Sequence, residues 1–191
     1  MFPETNQSKA IVKGSLGAIA QEKGKSIAEI FLGVDAIILV DVSGSMTQND
    51  AREQRRYDVA CRELEKLQGQ LPGKLAVVAF SGGVKFCPSG KPDFMMGMTD
   101  MEAALKFIKP ADGCGIRLIL ISDGEPDEPE KTLKLAKKFQ TKIDTVYVGS
   151  EDGDGRDFLR QLSDVTGGVS ITQETENLHL LGDSVRKLLS A

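Results

Sequence analysis

Histidine and cysteine are scarce in this 191-residue sequence, which has one histidine, His179, and three cysteines, Cys61, Cys87 and Cys114. There is no C-x-x-C pair and no second ligand cluster near the histidine, which argues against a zinc site, and three widely spaced thiols do not make a disulfide framework. Long apolar runs are also missing. The longest are of the size of 75–80, far below the roughly 20 residues of a membrane-spanning helix. The start, Met1-Phe2-Pro3-Glu4-Thr5, has neither the basic residues nor the apolar stretch of a secretory signal. Together with the thiol usage, this predicts a soluble protein of the reducing cytoplasm with no membrane partner. Basic charge is nowhere concentrated. Lys plus Arg is 24 against 28 Asp plus Glu, the net charge is −4, and the largest basic clusters are pairs such as Arg55-Arg56 and Lys137-Lys138. The electrostatic footprint of nucleic-acid binding is therefore absent. So is a G-x-x-x-x-G-K-[ST] loop, and with it a nucleotide motor of that kind.

What is present suits a folded domain with a sizeable core, since apolar residues make up 40% and charged residues 27% of the chain. From residue 34 onward, short β-rich apolar runs alternate with longer amphipathic stretches, the pattern of βα units around a parallel sheet. Strands are expected at 34–40, 75–80, 116–121, 143–148 and, more weakly, 168–171. Their nearly continuous apolar character fits strands covered on both faces. Helices are expected at 52–70, 99–108, 128–139, 157–165 and 174–189. After 75–80 the turn Ser81-Gly82-Gly83 leads directly into Val84-Lys85-Phe86 with no room for a crossover helix, so an antiparallel edge strand is expected near 85–87. The expected fold class is α/β: a doubly wound, mostly parallel open sheet flanked by helices, with one short antiparallel edge strand. Residues 1–32 depart from this rhythm. They show helical spacing at Val12, Leu16, Ile19 and again at Ile27, Ile30, Phe31 around a break near Gly24, and are read as a helical extension preceding a domain at 33–191.

In an open parallel sheet, ligands bind beyond the carboxyl ends of the strands. The first strand ends in Asp41-Val42-Ser43-Gly44-Ser45-Met46, presenting one carboxylate and two hydroxyls, and the strand at 116–121 ends in Ser122-Asp123-Gly124, presenting a second carboxylate. Thr99, in Gly97-Met98-Thr99-Asp100, stands at a helix start. Each residue alone has a plain reading as a cap or turn former. Taken together they form an all-oxygen set without His or Cys, which suits Mg²⁺, Mn²⁺ or Ca²⁺ better than zinc or copper. Two carboxylates balance one divalent ion and leave it able to attract an outside anion.

The run Asp41-Val42-Ser43-Gly44-Ser45 resembles the D-x-S-x-S motif of von Willebrand factor A domains, and Thr99 and Asp123 complete the pattern from about residue 34 to the C-terminus. The resemblance, to a bacterial-type intracellular relative, implies a Rossmann-like fold and a metal-ion-dependent adhesion site (MIDAS). There Ser43, Ser45 and Thr99 supply hydroxyl oxygens, and Asp41 and Asp123 ligate directly or through water. It also implies a protein-binding module with no catalysis, in which a partner's Asp or Glu completes the coordination of Mg²⁺ (or Mn²⁺ or Ca²⁺). By family analogy the partner would be an AAA+ ATPase or a stress-response protein. Met46 and the acidic stretch 125–130 are expected to tune which partner is accepted.

Three rivals fit less well. A magnesium phosphohydrolase of the haloacid-dehalogenase type would need D-x-D, but position 43 is Ser, which removes the acid/base carboxylate. A serine hydrolase built on Ser45, Asp123 and His179 lacks the G-x-S-x-G elbow, and His179 lies off the apolar stripe of the last helix, where it reads as a solvated surface residue. A calcium loop at 152–157 fails the EF-hand pattern, with Asp157 where Gly is required and Ser163 where Glu is required. It reads better as an acidic turn capping a helix from Asp157.

Overall fold

The computed structural model describes residues 11–149 and 153–190. Two short helices, α1 (Leu16–Lys23) and α2 (Ile27–Phe31), precede the sheet. Then follow β1 (Ala36–Asp41), α3 (Arg56–Gln70), β2 (Leu75–Phe80), β3 (Val84–Phe86) and α4 (Met101–Ile108). The chain continues through β4 (Arg117–Ser122), α5 (Pro129–Ala136), β5 (Ile143–Gly149), α6 (Asp154–Thr166), β6 (Ser170–Glu174) and α7 (Leu181–Ser190). The sheet order is β3-β2-β1-β4-β5-β6, parallel throughout except for the β2–β3 pair at its edge. The fold class is therefore the one expected.

The apolar runs are continuous because alternate residues feed two core layers. Ile37 and Leu39 of β1 pack in one layer with Leu16, Leu105 and Leu159, while Ile38 and Val40 pack in the other with Leu64, Leu67 and Val185. Consequently α1, α2, α4, α5 and α6 cover one face, and α3 and α7 cover the other. Ser15 caps α1 by accepting from the Ala18 N–H, and Gly24 ends that helix in the left-handed conformation at φ 62°, which glycine adopts without a Cβ penalty. Leu16, Ala20 and Ile30 lie in the same core layer as the sheet. Among the described residues no helix is long and apolar enough to cross a membrane.

Most boundaries shift by a few residues from the sequence expectation, and three of the shifts concern helix starts and breaks. Helix α3 starts at Arg56 rather than near 52, because the Asp50 carboxylate accepts from the Arg52 and Gln54 N–H groups and closes a turn ahead of the helix. The segment expected as one helix at 174–189 divides into the end of β6, a 3-10 turn at Thr175–Leu180, and α7. Gln173 organises this break: its amide donates to the Asn177 carbonyl, and its oxygen accepts from the Ser184 hydroxyl. Helix α6 begins at Asp154 with Gly153 at its cap, so Asp157 does not cap it. Asp152, the first residue of the calcium-like run, lies outside the described residues.

Strand β1 connects to β2 on one side and pairs with β4 on the other, so the chain winds outward in opposite directions from the β1–β4 pair. This switch point is where doubly wound sheets leave a crevice at the strand ends. The first turn of α6 closes against that crevice, since a Cβ on Gly155 would stand only 2.6 Å from the Gly124 carbonyl carbon. Gly155→Ala must therefore displace the backbone beside Asp123. The expected loss is about 1–3 kcal/mol, read by calorimetry as a melting temperature several degrees lower; an unchanged melting temperature would contradict this packing.

Candidate metal centre

The last residue of β1 is Asp41 and the last of β4 is Ser122, and these adjacent strand ends meet: the Ser122 hydroxyl donates to Asp41 Oδ2 at 2.6 Å. Asp41 Oδ1 accepts from the Ser43 N–H at 2.8 Å. Ser43 Oγ lies 3.0 Å from Ser45 Oγ, and Ser45 Oγ donates to Asp123 Oδ1 at 2.6 Å, across 78 residues of sequence. The Ser43 hydroxyl stands within reach of both the Ser45 hydroxyl and the Asp41 carboxylate. Both hydroxyl oxygens keep lone pairs for another group.

Thr99 is held between the two loops through its backbone. Gly44 N–H donates to the Gly97 carbonyl at 3.3 Å, and Asp127 N–H donates to the Thr99 carbonyl at 3.2 Å. Its side chain is buried but not used as a cap, because Asp100 takes that task by accepting from the Ala103 N–H. Likewise Ser43 precedes the 3-10 turn Gly44–Thr47 without making a side-chain cap bond. The structure thus gathers Asp41, Ser43, Ser45 and Asp123 in one hydrogen-bonded chain and brings the Thr99 backbone to the same strand ends. The plain capping roles of Ser43 and Thr99 do not apply.

Two members of the cluster were not assigned from the sequence. Ser122 was visible as the residue before Asp123, but nothing in its type said that it would bridge to Asp41. Arg56 was noticed only as half of a basic pair. Its Nη1 lies 2.9 Å from Asp123 Oδ2 in an ion pair whose side chains are 13% and 0% exposed. The available signal was helical spacing: Arg56 falls on the stripe of Val59, Ala60, Glu63, Leu64 and Leu67 that α3 turns inward. Two further corrections concern single residues. Met46 is completely buried and belongs to the core layer under α3, so it cannot touch a partner. Among the described residues, Met96 and Met98 are the exposed methionines, at 63% and 64%, on the loop that reaches Gly44. His179 is only partly exposed, with Nδ1 enclosed and unpartnered among the described residues, and it lines a small cavity with Glu63, Lys66 and Gln70, none of them part of this cluster.

Electrostatically the two carboxylates differ. Asp123 has a cation against it, whereas Asp41 is held by a hydroxyl and an N–H. Burial pushes the Asp41 pKa up from 3.8 to about 6; hydrogen bonds from Ser122 and Ser43 oppose the rise, and neighbouring Asp123 adds to it. No group of three or more His, Cys, Asp or Glu gathers among the described residues, so any ion here would rely on hydroxyl oxygens besides the two aspartates. The donor chemistry fits a hard divalent cation: charged oxygens to hold it, neutral oxygens to complete its shell, and no soft ligand.

No protein-family model matches the sequence, and neither does any curated protein. Solved structures do match. Proximal thread matrix protein 1 from the mussel byssus superposes with a TM-score of 0.58 at 18% identity, over 90% of this chain and 51% of that one. A von Willebrand factor type A structure from Catenulispora acidiphila gives 0.59 at 18% identity, over 81% of this chain and 41% of that one. The fold is that of a von Willebrand factor A domain. The mussel protein has also been solved with a zinc-occupied MIDAS motif, at a TM-score of 0.56 and again 18% identity, over 90% of this chain and 50% of that one. The chain spans about half or less of each of these structures' chains.

The Asp41 shift sets a testable sign. A carboxyl with a pKa higher in the folded than in the unfolded chain contributes stability that is present below the unfolded value of 3.8 and is lost as pH rises through about 6. At 1.36 kcal/mol per unit, the loss is on the order of 2–3 kcal/mol. In chelator at pH 7.5, Asp41→Asn should therefore melt several degrees above the wild type, with the gap closing toward pH 4. A variant that melts lower at pH 7.5 would show that the Asp41 charge is not a cost to the metal-free fold.

Proposed function

We propose that this A-domain chain is a divalent-cation-dependent protein-interaction module. Asp41, Ser43, Ser45, Thr99 and Asp123 would hold one Mg²⁺, with Mn²⁺ or Ca²⁺ as alternatives, and a partner's Asp or Glu would complete the coordination. The observation that supports this most is the Ser45–Asp123 hydrogen bond, which draws the oxygens of two separate strand ends into one cluster at the switch point. Ordinary caps and turns do not require such convergence. The bound ion would supply an electrophilic point for a carboxylate.

The chain's own residues do the remainder. Ser122 and the Ser43 N–H orient Asp41, the contacts of Ser45 with Ser43 and Asp123 hold the hydroxyl oxygens together, and the backbone ties of Thr99 keep its loop against both strand ends. The zinc-occupied MIDAS motif of the mussel protein supports a divalent ion at such a site, and it means that zinc belongs among the ions to be tested. A cytoplasmic setting, an AAA+ or stress-response partner, the division at residues 32 and 33, and the absence of catalysis belong to the same proposal. The missing second carboxylate at Ser43 argues against phosphoryl transfer.

Mg²⁺ or Mn²⁺ at about five times its dissociation constant should stabilise the fold by roughly 1 kcal/mol, a rise of about 2–4 °C for a chain of this size. Asp41→Asn should abolish that rise, and Thr99→Ala should reduce it. Equal shifts in wild type and Asp41→Asn would place the ion elsewhere. Capture of a partner should be reversed by chelation and by the same variant, and the purified chain should not hydrolyse phosphate monoesters above background. Hydrolysis that disappears in Asp41→Asn would favour the phosphohydrolase instead.

A further inference from the structure

We propose that Arg56 is a resident cation of the centre that shares Asp123 with the divalent ion, so that the ion is held weakly alone and firmly once a carboxylate joins it. This rests on the metal-centre reading above and adds a regulating residue that the D-x-S-x-S pattern does not contain.

The geometry is asymmetric. Asp123 gives one carboxylate oxygen to the Ser45 hydroxyl and the other to Arg56 Nη1, at 2.6 and 2.9 Å. The guanidinium is mostly buried, and its Nε has no partner among the described residues, so Asp123 is the carboxylate the structure sets against it. Arg56 is also the first residue of α3, its N–H bonded to the Gln48 carbonyl, and it lies on the inward stripe of a helix packed on the sheet. Its backbone is therefore anchored in the fold. A guanidinium does not lose its proton in proteins, so no accessible pH removes this charge.

The consequence is a matter of charge balance. With both aspartates ionised and Arg56 present, the cluster carries one formal negative charge, and a divalent ion makes it positive. Without Arg56 the same ion would only neutralise it. A fixed positive charge a few ångströms away repels the incoming ion and strengthens the pull of the loaded centre on an anion. Ion and carboxylate then bind with positive coupling: each raises the affinity for the other by the same factor.

A purely structural ion pair would act differently. If Arg56 only positioned Asp123, removing it would loosen the ligand and weaken ion binding. The opposite is expected here, and titration of the full chain with Mn²⁺ decides between them, followed by calorimetry and by the electron paramagnetic resonance of free Mn²⁺. Arg56→Gln should bind Mn²⁺ about tenfold or more tightly than wild type, whereas Arg56→Lys, which keeps the charge, should remain close to wild type. Acetate at fixed concentration should tighten Mn²⁺ binding in wild type more than in Arg56→Gln.

Because Arg56→Gln leaves Asp123 without its cation, it should melt below wild type in chelator yet gain more from Mn²⁺. Unchanged or weaker Mn²⁺ binding in Arg56→Gln, with binding abolished by Asp41→Asn, overturns the role of Arg56 alone. Mn²⁺ binding that Asp41→Asn leaves intact overturns the metal centre itself and this inference with it.

Discussion

The parallel pairing of β1 with β4 is the constraint on which the rest of this molecule depends. These strands are far apart in sequence, and each ends in a short polar loop; register places Val40 opposite Ile121, so Asp41 and Ser122 leave the sheet side by side. Hydrogen bonds then complete what register begins, with Ser122 reaching Asp41 and Ser45 reaching Asp123. The crevice between outward-winding halves is a general property of doubly wound sheets. In this chain the described side chains that bond together beyond β1 and β4 present oxygen, apart from one arginine.

That arginine explains how two aspartates coexist a short distance apart in a buried setting. Like charges in a low-dielectric environment raise each other's pKa, and burial adds to the effect. Here the load is divided. Asp123 has a guanidinium, while Asp41 has only neutral donors and its pKa rises accordingly. The cluster is thus unevenly balanced: one carboxylate is compensated, and the other remains costly to ionise. On the proposed reading, a bound ion would relieve that electrostatic cost, which would add to its binding energy.

Much of the fold was legible in the sequence because periodicity reports burial. Strand β2 runs over the expected residues, and the hairpin followed from the lack of room for a helix after Ser81-Gly82-Gly83. The boundaries that moved did so where side chains compete with helix formation. Asp50 closes a turn on the Arg52 and Gln54 amides, and Gln173 holds the break before α7, side-chain bonds to nearby groups that apolar periodicity does not report. The site shows the same division. Asp41, Ser43, Ser45 and Asp123 could be named as candidates because they follow strand ends, Thr99 because it stands ahead of a helix in the pattern, and Arg56 could have been, from the inward stripe of α3. Ser122 as a bridge could not, since its partner lies 81 residues away. Met46 was misplaced because the turn after Ser45 directs its side chain back under α3, which a motif written as letters does not convey.

The surround of the centre bears on what could dock there. Glu125, Asp127 and Glu128 are exposed on the loop following Asp123, while Met96 and Met98 are exposed on the loop that reaches Gly44. An acidic rim repels a broadly acidic surface at a range of about 8–10 Å at physiological ionic strength, whereas methionine offers an adaptable apolar contact. On the proposed reading, a single carboxylate would be drawn to the loaded ion over the final few ångströms, where its attraction exceeds the repulsion of the rim. The matching surface would then carry one acidic residue with apolar neighbours toward the methionine loop and basic neighbours toward Glu125 to Glu128. Selectivity would arise from this asymmetry around a shared anchor, since the anchor alone cannot distinguish one carboxylate from another.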